Sequence, residues 1–162
     1  MALFNLALDS KLRACDLVAL RVDDVTLNGR ARSRAAVLQR KSGRPVQFEI
    51  TEHTREAVGR WLDKKGLHKG KPLFPSRVAR TRSMSTRQYA RLLDSWLRAV
   101  GLDPLAYGTH SLRRTKASMI YRRTGNLRAV QLLLGHTKIE STVRYLGIDV
   151  DDALAIAEQV DM

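Results

Sequence analysis

Between residues 25 and 50 the apolar pattern of this chain changes period, and that change restricts the fold more than any other feature. VTLN, RARSRAAVLQ and PVQFEI read as extended segments, separated by Asn28-Gly29 and by Ser42-Gly43. Asn-Gly is the strongest short hairpin signal, because a type I′ turn needs positive φ at both central residues. The expectation is three antiparallel strands, with Lys41 at the end of the middle one. On either side the spacing returns to three and four, as in amphipathic helices. The chain therefore reads as α+β: mostly helical, with a small three-stranded antiparallel sheet near the N-terminus.

The helical boundaries come from capping residues. Residues 2–8 read as an apolar helix, and 12–20 as a second with Leu12, Leu17, Val18 and Leu20 on its buried side. Residues 51–66 form an amphipathic pattern around Val58, Trp61 and Leu62, with Gly66 as C-cap. Ser85 and Gln88 make a capping-box pattern that opens a helix over 85–100, while 67–84 reads as a basic, Pro/Gly-punctuated loop. Helices follow at 110–122, 127–134 and 139–146, with Asn126 as an N-cap and Gly135 as a C-cap. A last helix is expected at 150–160.

Charge narrows the function. The formal net charge is +13, which favours a polyanionic partner, most simply nucleic acid. Residues 64–91 carry nine Lys and Arg and no acid, and 113–138 carry seven more without one. Residues 149–161 reverse this, with five acids and no base, as suits a protein-contacting end beside a phosphate-tracking surface. Cys15 is the only cysteine, so no disulfide is available and a reducing compartment is expected. MALFNLAL lacks a basic n-region and no apolar stretch is long enough to span a bilayer, so a cytoplasmic location is expected.

Chemistry concentrates in THSLRRTKASMIYRRTGNLRAVQLLLGHTKIESTVRYL, residues 109–146. If Thr109 caps a helix, His110 and Arg113 share a face of its first turns, where free N–H groups and the dipole suit an anion. Two imidazoles, a guanidinium and a phenol on one phosphate would support nucleophilic phosphoryl transfer. Each part alone has a plainer explanation. Tyr145 near a helix end suits packing, Arg13 and Asp16 suit a solvated ion pair, and Lys41 suits a solvated hairpin tip. Alternatively, Asp16 helps fix the Arg13 fork for a phosphate, and Lys41 dips into a groove to donate a proton.

Taken in order, Arg13, Lys41, His110, Arg113, His136 and Tyr145 resemble the catalytic set of the tyrosine recombinases, the phage-integrase family. LRACDLVAL resembles its first-arginine box, HSLRRTKAS its H-x-L-R box, and LLGHTKIESTVRYL its G-H box with the nucleophile tyrosine. The resemblance runs from about Leu8 to Leu146. It departs at Lys11, where the family usually has glycine, at Asp16 for glutamate, and at Arg114 for a frequent second histidine. It also implies an N-terminal helical clamp domain for which these residues have no counterpart, so 1–162 is expected to be a catalytic domain without it.

The resemblance implies a site-specific recombinase or integrase of a prokaryotic, phage or plasmid element, acting on double-stranded DNA as a homo-oligomer, a tetramer. Tyr145 would form a 3′-phosphotyrosyl link, with Arg13 and Arg113 on the non-bridging oxygens and His136 as a further donor. His110 would manage the tyrosine proton, Lys41 would act as general acid, and Asp16 would support the site. No metal or other cofactor is implied, and the boxes hold no carboxylate cluster for one. Two alternatives remain open, a DNA-binding relative without activity and a type IB topoisomerase-like strand transferase. The 150–160 helix would form a subunit contact on DNA, or pack on its own chain when no partner is present.

Overall fold

A computed structural model describes residues 1–148 and Glu158. The chain opens with α1 (Ala2–Ser10), whose C-terminal turn closes on Lys11 in the left-handed region at φ 53°. It continues through α2 (Ala14–Ala19) and the single turn α3 (Val22–Val25). Two short hairpins follow, β1 (Thr26–Leu27) with β2 (Arg30–Ala31), and β3 (Arg34–Leu38) with β4 (Pro45–Glu49). The remainder is helical: α4 (Glu52–Lys65), α5 (Thr86–Ala99), α6 (Thr109–Thr124), α7 (Leu127–Leu134) and α8 (Ile139–Leu146). The helix expected at 150–160 falls outside the described residues apart from Glu158.

The α+β class holds, but the expected three-stranded sheet is two separate two-stranded ladders. The reason lies in residues 22–25, which close into a helical turn because the Asp24 carboxylate accepts the Arg21 N–H at 2.7 Å. β1 is thereby cut to a stub around Asn28 (φ 49°) and Gly29 (φ 77°), the turn conformation that Asn-Gly favours. The middle run pairs first with this stub, its last bond being Arg32 N–H to Val25 C=O at 2.9 Å. It then turns to β4, beginning with Ile50 N–H to Ser33 C=O at 2.7 Å. One extended run serves two partners in succession, and the ladder breaks where it changes partner.

The main core gathers around α1: Leu6, Leu17, Val25, Phe48, Ile50, Val58, Leu73, Phe74 and Tyr89 are all buried. The basic 67–84 segment is anchored, not merely a surface loop. Trp61 Nε1 donates to the Leu73 carbonyl at 2.8 Å, which seats Leu73 and Phe74 in the core, while Arg77, Arg80 and Arg82 remain exposed.

A second, smaller cluster joins the last three helices. Ala117, Val130 and Leu134 are buried, with Ile120, Tyr121, Tyr145 and Leu146 packed against them. Asn126 caps α7 by accepting the Ala129 N–H at 2.8 Å, and Gly135 ends it at φ 67°. At Gly135 the α7 end also meets the second hairpin. A Cβ there would lie 2.5 Å from Val46 Cγ2 and 3.0 Å from Gln39 Oε1. Only glycine permits both the backbone angle and that approach.

Candidate active site

Arg13 stands at the N-cap of α2 in extended conformation. The turn before it is fixed by Lys11, whose side chain is fully buried. Lys11 Nζ donates to the Asp9 carbonyl at 2.5 Å and to both Glu49 oxygens at 3.1 Å. Lys116, one turn after Arg113 on α6, reaches the Asp9 carboxylate at 2.7 Å and shares Glu49 with Lys11, at 3.1 Å. Asp9 and Glu49 both titrate below their ordinary values: burial opposes the charged form, but bonds from Lys116 and the Thr51–Thr54 turn to Asp9, and from Lys11 and Lys116 to Glu49, outweigh it. Lysine in place of the family's usual glycine at position 11 thus forms the buried end of a partly exposed ion cluster. That cluster ties the Arg13 turn to β4 and to α6.

The Arg13 fork turns to Gln39, not to Asp16: Nη1 donates to Gln39 Oε1 at 2.7 Å. Asp16 is buried and its Oδ1 accepts the Arg40 N–H at 2.9 Å, so it grips the base of the second hairpin. Lys41 lies within the turn that follows, beyond the end of β3 at Leu38, and is exposed. Backbone bonds from Gly43 N–H to Gln39 C=O (2.8 Å) and from Gln39 N–H to Arg44 C=O (2.9 Å) close the tip around it.

Helix α6 begins one residue earlier than expected. Gly108 is its N-cap and Thr109 its first residue, with the Gly108 N–H donating to Ser111 Oγ at 3.1 Å. Glycine at that position has no side chain to cap with; its carbonyl accepts the Ser111 N–H at 2.8 Å while the Ser111 hydroxyl takes the Gly108 N–H. His110 is exposed on the first turn, whereas Arg113 is 2% exposed. Arg113 Nη2 donates to the Leu134 carbonyl at 2.8 Å and lies 3.5 Å from His136 Nε2. Among the described residues its Nη1 is buried without a hydrogen-bond partner. Burial lowers the Arg113 pKa, yet a guanidinium remains charged at any physiological pH.

His136 follows Gly135, with Nδ1 3.1 Å from Thr142 Oγ1. Burial, reinforced by the charges of Arg113 and Arg13, lowers its pKa to about 4, so the ring is neutral at pH 7. Because arginine has no acceptor, the ring nitrogen facing Arg113 is the unprotonated one, and Nδ1–H donates to Thr142.

Thr142 and Tyr145 share a face of α8 at i, i+3. The Tyr145 ring meets His136 edge-on, centroids 5.5 Å apart, and the guanidinium carbons of Arg113 and Arg114 each lie 5.7 Å from its centre. Its hydroxyl points to the His110 carbonyl at 3.5 Å. Burial raises the phenol pKa, against the pull of Arg113, Arg114 and Arg13.

Arg13, Arg113, His136 and Tyr145, with the His110 backbone, therefore converge, while the Lys41 and Asp16 side chains stand at the hairpin. The sequence reading missed Gln39 and Thr142, and gave Arg114 no place at the phenol. Nothing local marks Gln39, since its contacts come from segments far along the chain. Thr142 had a usable signal, one helical turn before the candidate nucleophile.

Against known proteins, the family described as "Phage integrase family" matches residues 1–151. A probable integrase/recombinase, YoeC of Bacillus subtilis, is 30% identical over 154 residues, covering 94% of this chain and 80% of that protein. The tyrosine recombinase XerC of Neisseria gonorrhoeae is 34% identical over 152 residues, 93% of this chain and 47% of its own length. Thus the chain spans about half of some curated relatives. The XerH site-specific recombinase, in a pre-cleavage complex with its difH substrate, superposes with a TM-score of 0.76 at 20% identity, over 96% of this chain and 45% of that one. A match across nearly all of the sequence makes this chain a member of the phage integrase family.

Proposed function

We propose that residues 1–162 are the catalytic domain of a site-specific DNA recombinase that cuts and rejoins strands through a 3′-phosphotyrosyl intermediate. One observation carries this reading. Arg113 is almost wholly buried beside Tyr145 and His136, yet its Nη1 has no partner among the described residues. A buried, unsatisfied guanidinium nitrogen costs stability, and an incoming phosphate oxygen removes that cost. Membership of the family and the +13 charge agree with duplex DNA as the source of that phosphate.

In the proposed reaction the Tyr145 oxygen attacks the scissile phosphorus, an O–P bond forms to the tyrosine, and the bond to the 5′-oxygen breaks. The phenol is protonated at rest, since burial holds its pKa up, so it must lose its proton as the bond forms. His110, whose backbone already faces that hydroxyl, receives the proton. Arg13 and Arg113 neutralise the non-bridging oxygens as charge shifts onto them. His136 donates to one of them from Nε2 after its proton has moved there from Nδ1, the phosphate oxygen replacing Arg113 as the partner of Nε2. Thr142 permits this, because its hydroxyl can donate to Nδ1 as readily as accept from it. Lys41, exposed at the hairpin tip, gives its proton to the departing 5′-oxygen. The 5′-hydroxyl of a second strand then reverses the sequence.

Assembly as a homo-oligomer on DNA belongs to the same proposal. No described helix is long and apolar enough to cross a membrane. The test is covalent capture. A nicked duplex that loses its cleaved fragment should leave a protein–DNA adduct with this chain, and Tyr145→Phe should leave none. An adduct surviving in Tyr145→Phe would place the nucleophile elsewhere.

A further inference from the structure

Gln39 is 1% exposed and its side chain bonds groups from three segments. Its Oε1 accepts from Arg13 Nη1 at 2.7 Å and from Ser42 Oγ at 3.0 Å. Its Nε2 donates to the Leu134 carbonyl at 3.1 Å, and that carbonyl also accepts from Arg113 Nη2 at 2.8 Å. The two arginines are therefore joined through one amide and one peptide oxygen. The amide orientation is fixed by its neighbours. Reversed, it would set a donor against the Arg13 donor and an acceptor against the Leu134 oxygen.

On the reading that this is a phosphate-cleaving centre, we infer that Gln39 is its positioning residue, setting the separation and aim of the Arg13 and Arg113 forks. A neutral amide is the group these contacts require. It must accept from a cation on one side and donate to a carbonyl on the other, and a carboxylate can do only the first. The geometry around it is closed. Gly135 lets α7 approach Gln39 to within contact, and the backbone of Gln39 itself pairs with Arg44 and Gly43 at the root of the Lys41 turn. With the Arg13 Nη1 directed at Gln39, the rest of that fork is aimed by the same bond. Asp16 braces the neighbouring Arg40 N–H from the opposite side. Gln39 thus sets the relation of three proposed catalytic side chains without touching the phosphate.

The experiment uses the full chain and a nicked duplex obtained from a randomised pool by covalent capture on wild type. Gln39→Met keeps the length and removes both polar contacts. Its single-turnover cleavage rate should fall about a hundredfold, as a misplaced constellation does, with duplex affinity within about twofold of wild type. Gln39→Glu supplies a second readout, a pH profile. Protonated, its carboxyl reproduces the amide's donor and acceptor; ionised, it repels the Leu134 oxygen and competes with the phosphate for Arg13. Its rate relative to wild type should therefore rise as the pH is lowered from 8 to 5, and this comparison stands if Gln39→Met fails to fold. Cleavage by Gln39→Met within about threefold of wild type overturns the inference, as does a Gln39→Glu ratio that is flat with pH. A wild-type chain that captures no duplex from the pool removes the recombinase reading itself, and this inference with it.

Discussion

His136 and Thr142 face each other at 3.1 Å, Nδ1 to Oγ1, on opposite sides of the turn that leads into α8. Thr142 is completely buried, so its hydroxyl has no water to fall back on and serves the imidazole. Replacing it with valine keeps the shape and removes the partner. Thr142→Val should cost about 1 kcal/mol of stability and slow cleavage about tenfold or more through a disoriented ring. Histidine 15N shifts give the independent check: wild type should show the proton on Nδ1, and the variant a mixture of tautomers.

The His136 ring also makes stability depend on pH in a defined window. Its pKa is about 4 in the folded chain against an ordinary 6.5, so the unfolded chain takes up this proton first as pH falls. Stability from this group is complete above 6.5 and drains away between 6.5 and 4. The contributions of Asp9 and Glu49, whose pKa values are lowered from 3.8 and 4.5, are lost only below those ordinary values. The thermal midpoint of wild type should therefore fall more between pH 6.5 and pH 4 than that of His136→Asn. Parallel curves would refute this.

Gly135→Ala should be among the most damaging small substitutions in the chain. The residue sits at φ 67°, and the added methyl would lie 2.5 Å from Val46 Cγ2. Strain alone costs about 1–3 kcal/mol. A fall of at least about 4 °C in the unfolding midpoint is expected, with cleavage reduced in the fraction that folds. A midpoint within a degree of wild type would mean that α7 and the hairpin are not pressed together here.

Arg113→Lys keeps the charge but not the fork. One ammonium cannot hold the Leu134 carbonyl in place of Nη2 and also offer what Nη1 offers. Cleavage should drop about 10²–10³-fold, the usual loss for a donor to a developing oxyanion. Because the positive charge at this centre comes from guanidinium groups, wild-type cleavage should continue in excess EDTA. Loss of the chemical step in EDTA, restored by Mg²⁺, would refute that.

Much of this arrangement is legible in the chain alone, because it rests on local signals. Asn126 and Gly135 frame α7 to the residue, and Asn28-Gly29 makes its turn. Where the reading failed, the cause was competition from contacts that pattern does not carry. The Asp24 cap drew Val25, the first residue of the expected strand, into a helical turn. Gln39 looks like any polar residue at a strand end until Leu134, remote in sequence, is folded against it. Asp16, three residues from Arg13, suggested a pair, yet the backbone of Arg40 claims it.

The ion cluster of Asp9, Lys11, Glu49 and Lys116 separates two properties that salt would otherwise couple. Contacts of exposed lysines and arginines with phosphates weaken steeply as ions are added. The Arg13 turn is closed by a lysine with no solvent exposure, bonded to the Asp9 carbonyl and to Glu49, where mobile ions reach less readily than at the surface. Raising ionic strength should therefore loosen the proposed hold on DNA before it opens the Arg13 turn. The protein let go by salt is one whose centre is still set for the next encounter.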